Sequence, residues 1–231
     1  MQDAELDALY QATSAKTLAL WREEEGTGRP VKGYYDTRKL ALATGFQPPV
    51  SEEIAGLFSE LQSLTAGDER VDLQPLNGFH FTFVPLTLPM FDENQPLPAK
   101  TRQLLDAWSP FENQSVRIEG LRLVALAGQL LLAGIPLPPA SALRQAFCDA
   151  MLKTGWKDEL LLRHANTPLP APFWHTTLLR YQAERLPDSL RTYFLERQAQ
   201  RYGEVSGTLK LVRINYNWTQ CSPVDALPLE Y

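Results

Sequence analysis

Apolar residues recur at helical spacing across residues 3–25 (Leu6, Leu9, Tyr10, Leu18, Trp21), and Gly26-Thr27-Gly28-Arg29-Pro30 then breaks the pattern. Residues 1–33 therefore read as an N-terminal helical extension, and residues 34–231 as a single domain. Residues 34–46 suit a strand that Pro48-Pro49 ends, and Ser51 is a candidate N-cap for a helix reaching about Leu64. After a turn at Gly67-Asp68, residues 71–76 lead through Asn77-Gly78 into a short aromatic strand ending near Pro85. A proline-rich loop over 89–98 precedes a helix over 100–108. Residues 116–127 and 129–136 predict a hairpin around Gly128. Ser141 then starts an amphipathic helix (Leu143, Ala146, Phe147, Ala150, Met151) that Gly155 closes. Pro168, Pro170 and Pro172 stiffen the approach to another strand at Trp174. A helix over 188–202 follows, and residues 208–218 predict one last long strand. Strand, helix and aromatic strand thus occur twice in that order, which suggests two similar lobes.

Each lobe ends in the same kind of string. Phe79-His80-Phe81-Thr82-Phe83 and Trp174-His175-Thr176-Thr177-Leu178 both read apolar-His-x-Thr-apolar, and they use two of the three histidines in the chain. Side chains alternate faces along a strand, so His80 and Thr82 project together while Phe79, Phe81 and Phe83 point into a core. His175 and Thr177 do the same against Trp174, Thr176 and Leu178. A single such string is ordinary for a half-exposed strand. Two copies facing each other would set two acid/base groups and two hydroxyl donors around one small anion.

Composition narrows the setting. The chain of 231 residues is 44% hydrophobic and 21% charged, ordinary for a globular protein, and holds no apolar run long enough for a membrane helix. Its acidic N-terminus lacks the pattern of a secretory leader. Cys148 and Cys221 are too few and too far apart for a disulfide framework or a zinc knuckle, so a reduced, cytoplasmic protein is expected. The net charge of −5 argues against a grip on long duplex nucleic acid, though not against a locally basic groove for a nucleotide or RNA end.

On its two His-x-Thr strings and its order of elements from about residue 37 onward, the chain resembles the two-histidine (2H) phosphoesterases, which include the LigT-type RNA cyclic phosphodiesterases once called 2′,5′ RNA ligases. The first 33 residues lie outside the resemblance. It implies an α+β, bilobal fold with two antiparallel sheets flanking a central cleft and helices outside. Carried over by position, His80 and His175 are the catalytic pair, and Thr82 and Thr177 bind the substrate phosphate. The implied reaction needs no metal and no cofactor: one imidazole takes a proton from the attacking water, and the other gives one to the leaving ribose oxygen. Which histidine plays which part is open.

Arg180, Tyr181 and Tyr35 (or its neighbour Tyr34) are further candidates for stacking on a base or steadying a phosphate, against the plainer reading of solvated loop residues. Arg213, Asn215 and Asn217 share one face of the last predicted strand, toward either the cleft or solvent. His164 lacks a hydroxyl partner two residues on and reads as a surface-loop residue. The leading expectation is a phosphoric diester hydrolase acting on a cyclic phosphate or a 2′,5′ or 3′,5′ diester of a nucleotide or RNA end, working as a monomer without a membrane partner. RNA end processing with 2′,5′ ligation, and a module that binds a nucleotide or RNA end without turnover, are the alternatives.

Overall fold

The two histidine strings lie in different antiparallel sheets. The computed structural model describes residues 3–32 and 36–230. In chain order the elements are α1 (Asp3–Glu23), β1 (Ala41–Phe46), α2 (Glu52–Leu64), β2 (Val71–Leu73), β3 (Phe81–Pro85) and α3 (Thr101–Trp108). The hairpin β4 (Ser115–Leu126) and β5 (Gln129–Pro136) follows, then α4 (Ala140–Met151) and α5 (Lys157–Arg163). β6 (His175–Tyr181), α6 (Asp188–Arg197), β7 (Val205–Thr208), β8 (Lys210–Ile214) and β9 (Cys221–Pro223) complete the chain. One sheet has the order β3-β1-β8-β9 and the other β2-β6-β5-β4-β7, with every strand pair antiparallel. The architecture is α+β. No described helix is long and apolar enough to cross a membrane.

Local chemistry explains most boundaries. Ser51 caps α2, its Oγ accepting from the Ile54 amide at 3.3 Å, and Glu52 and Glu53 sit in the positive first turn. The last predicted strand divides. β7 joins one sheet and β8 the other, with buried Leu209 at the crossing, and the chain turns after Ile214 instead of continuing to Trp218. α6 stops at Arg197, short of the predicted end. α5 was not anticipated.

The aromatic faces of both strings form the core. Phe79 packs edge-on to Phe58 of α2 and to Phe81, at 5.7 Å each, and Phe81 stacks on Phe46 of β1. Burying each such side chain stabilises the fold by about 1.5–3 kcal/mol. α1 belongs to the same core through Leu6, Tyr10 and Trp21. The buried Tyr10 hydroxyl donates to the Gly134 carbonyl at 2.9 Å and accepts from the Trp174 amide at 3.0 Å, tying α1 to β5 and to the start of the second string.

Candidate active site

Both motif strands carry the same irregularity. Along β1, Gly45 pairs with Thr82 and Thr44 with Val84, so Phe83 is an extra residue in β3. Along β5, Leu131 pairs with Thr177 and Leu130 with Leu179, so Leu178 is extra in β6. An extra residue flips the facing of everything after it. Each strand thus presents its His and Thr, passes over two residues instead of one, and presents Pro85 or Arg180 on the same side.

That rule decides between two neighbours. Arg180 lines the same cavity as His175 and Thr177, whereas Tyr181 is buried on the other face, paired with Val71 and bonded to Asp68. Tyr181 is therefore not a cleft residue. Phe83, expected to point wholly into the core, also reaches the cavity wall because it is the bulged residue. Tyr34 and Tyr35 lie outside the described residues.

The cavity, about 260 Å³, opens between the two sheets and is lined by His80, Thr82, His175 and Thr177 together. His80 is 7% exposed and stands one residue before β3 begins. Its Nδ1 lies 2.7 Å from the Gly78 carbonyl, an acceptor that fixes the proton on Nδ1 and leaves Nε2 with its lone pair free. The same carbonyl accepts from the Gln74 side-chain amide at 2.7 Å, and that amide also donates to the Asn217 carbonyl at 2.6 Å. Gly78 is glycine for close approach, since a Cβ there would collide with the Asn217 carbonyl and the Gln74 amide. The ring of Trp218 covers His80 face to face. The imidazole of His175, half-buried at the start of β6, makes no hydrogen bond within the described residues and meets Phe173 edge-on at 6.0 Å.

Arg144 of α4 joins the two strings from behind. It is 4% exposed; one Nη donates to the Ala171 and Phe173 carbonyls at 2.9 and 3.0 Å, and the other donates to the Thr82 carbonyl at 3.2 Å. Its guanidinium lies 3.4 Å from the ring centroid of Trp174, a cation–π contact. Burial pulls its pKa down to about 9, so it is still charged at neutral pH.

Every histidine of the chain borders this cavity. His164 is not a surface-loop residue: it is buried, its Nε2 donates to the Pro85 carbonyl at 3.0 Å, and its Nδ1 lies 3.3 Å from the Thr167 hydroxyl. Burial, with the nearby Arg180 charge, pushes His80 down to about 3. Burial, with Arg144 and Arg180, pushes His175 down to about 4. Both imidazoles are neutral at pH 7. Lys39, Arg144, Arg163 and Arg180 line the cavity and, among the described residues, no Asp or Glu does, in a chain whose net charge is −5. Asp72 approaches only from the side, 3.6 Å from Arg180 and accepting from the Tyr216 hydroxyl at 3.1 Å. Among the described residues no three His, Cys, Asp or Glu side chains cluster as a metal site.

The segment from β8 into the following turn brings to the cavity the opposite residues from the polar ones singled out in the sequence. Ile214, Tyr216 and Trp218 reach the cavity, while Arg213 is buried and bonded to the Gln95 carbonyl at 2.6 Å. Asn217 lies in the turn, its side chain accepting from Thr219. Sequence reasoning missed Trp218, Gln74 and Arg144. Of these only Arg144 left a trace, as a charge within the apolar register of α4.

No family model and no curated protein matches the sequence. Among solved structures the chain is similar to a conserved protein of unknown function from Agrobacterium tumefaciens. The identity is 13%, the match covers 88% of this chain and 94% of that one, and the TM-score is 0.47. A likeness at that level transfers neither a function nor a site.

Proposed function

We propose that this chain is a phosphodiesterase of the two-histidine type, hydrolysing a cyclic phosphate or a 2′,5′ or 3′,5′ diester of a nucleotide or RNA end without a metal. The observation that carries the reading is the joint opening of both His-x-Thr strings onto one cationic, carboxylate-free cavity. Such a wall favours an anion and repels nothing that a phosphate brings.

Roles follow from the hydrogen bonds. His80, with its proton held on Nδ1 by Gly78, offers Nε2 as the base that takes a proton from water as the new P–O bond forms. The bond to the ribose oxygen then breaks, and His175 returns a proton to that oxygen. Thr82 and Thr177 donate to the non-bridging oxygens, where charge builds up. Burial first, and then the Arg144 and Arg180 charges, hold His175 down; an anionic phosphate beside it counters these charges and favours the protonated form that the acid role requires.

The test is turnover by purified protein, in EDTA, of nucleoside 2′,3′-cyclic phosphates, 2′,5′-oligonucleotides and cyclic dinucleotides. At least one class is expected to be hydrolysed, with loss of activity in His80→Ala and His175→Ala. Saturable binding without hydrolysis across the panel would instead make the chain a nucleotide-binding module.

A further inference from the structure

The cavity has a second end, and we propose that it binds a second phosphate carried by the same substrate, beyond the diester held between His80 and His175. This rests on the phosphodiesterase reading above. At the first end Thr82 pairs with Gly45 of β1. At the second, the Thr87 hydroxyl accepts from the Leu42 amide at 3.0 Å. Three residues of β1 separate these points, about 10 Å at strand rise.

The second end is equipped for an anion. Thr87 is 2% exposed, lines the cavity, and its hydroxyl proton has no acceptor among the described residues. Arg163, half-buried at the end of α5, lines the same space, and its guanidinium makes no hydrogen bond or ion pair among the described residues. Its position is fixed by its neighbour His164, which is bonded to Pro85 at the end of β3 and to Thr167. Lys39 adds a third donor, and its ion pair with exposed Asp92 contributes little. A cation in the last turn of a helix is favourable by itself. That accounts for Arg163 on α5, but not for a buried hydroxyl with an unused proton beside it, nor for a wall without a carboxylate.

The substrate class is therefore an elongated, multiply anionic diester, such as a nucleoside 2′,3′-cyclic phosphate bearing a 5′-phosphate chain. A bare nucleoside cyclic phosphate fills only the first end.

Two measurements test this. In kinetics, a nucleoside 2′,3′-cyclic phosphate with a 5′-diphosphate is expected to exceed its 5′-hydroxyl counterpart by about tenfold in kcat/KM, the size of one charge-assisted hydrogen bond, mostly through KM. Arg163→Ala should reduce the ratio to near one; equal kcat/KM for the two substrates in the wild type overturns the proposal. The second measurement titrates inorganic phosphate while following the imidazole NMR signals, since the three histidines report on both ends. Signals of His164 and of the His80/His175 pair should move with separate half-saturations, and Arg163→Ala or Lys39→Ala should weaken only the His164 response. An unmoved His164, or a response indifferent to both variants, overturns the second site. Movement at His164 alone, with no turnover of any diester, sinks the phosphodiesterase reading and leaves the second site standing.

Discussion

The indole of Trp218 lies flat on the imidazole of His80, ring centroids 4.7 Å apart and planes 11° from parallel. Trp218 holds a left-handed backbone (φ 59°), uncommon for a bulky residue and tolerated where surrounding contacts fix it. Gln47 donates to its carbonyl at 3.2 Å, and the Gln74 bridge to Asn217 fixes the residue before it. The turn after β8 and the turn before β3 therefore form one rigid mount for His80.

The mount leads to the first prediction. Trp218→Ala opens His80 to water and removes most of the burial that depresses it. Its pKa should climb from about 3 toward the ordinary value near 6.5, and kcat/KM on the best diester should fall about tenfold or more. Trp218→Phe should keep most of both properties. Imidazole NMR titration with steady-state kinetics checks this, and an unmoved titration in Trp218→Ala refutes the mounting role.

The histidine pair should separate activity from stability. The His175 imidazole makes no hydrogen bond among the described residues, so His175→Asn should leave the melting temperature within a few degrees while lowering turnover by about 10²–10⁴-fold. His80→Asn should cost as much in turnover. Activity should survive EDTA in the wild type, and restoration by zinc or manganese after chelation would show a metal-dependent reaction instead.

Arg144 should behave in the opposite way, as a residue of the fold first. Arg144→Met deprives three carbonyls of their donor, Thr82 on β3 and Ala171 and Phe173 on the segment leading into β6. At about 1–1.5 kcal/mol for each, urea denaturation should show a loss of about 3–4 kcal/mol. Arg144→Lys should recover little, because one ammonium cannot replace a planar fork spread over three acceptors. A variant as stable as the wild type would mean that the strands hold their spacing without it.

How far the site was legible in the sequence follows from these parts. Local rules sufficed for Ser51, for the hairpin about Gly128 and for the alternation around His175, where Trp174, Thr176 and Leu178 are buried between half-buried His175 and Thr177. Strict alternation failed just past Phe83 and Leu178, where Val84 and Leu179 are buried as well. A one-residue bulge is set by the partner strand, and nothing in an aromatic or leucine run announces it. Trp218 was assigned to a strand because its neighbours alternate; the turn that brings it onto His80 depends on Gln74, far away in the chain. His164 looked solitary because its partners, Pro85 and Thr167, include a backbone carbonyl that no pattern of side chains reveals.

Acid should unfold this protein earlier than its carboxylates alone require. His80, His175 and His164 all have pKa values lowered in the fold, with burial the largest cause. Their unfolded values lie near 6.5. The unfolded chain therefore binds protons first, and the contribution of these groups is complete above pH 6.5 and lost as pH falls below it. The loss runs down to about pH 4 for His175 and about pH 3 for His80. Each imidazole contributes a slope of up to about 1.4 kcal/mol per pH unit, so at pH 5 the pair should have lost about 4 kcal/mol relative to pH 7.5. Urea denaturation at the two pH values measures the difference. His175→Asn should remove close to half of it, and a stability that stays flat between pH 7.5 and 5 would show that these imidazoles are not held neutral by the fold.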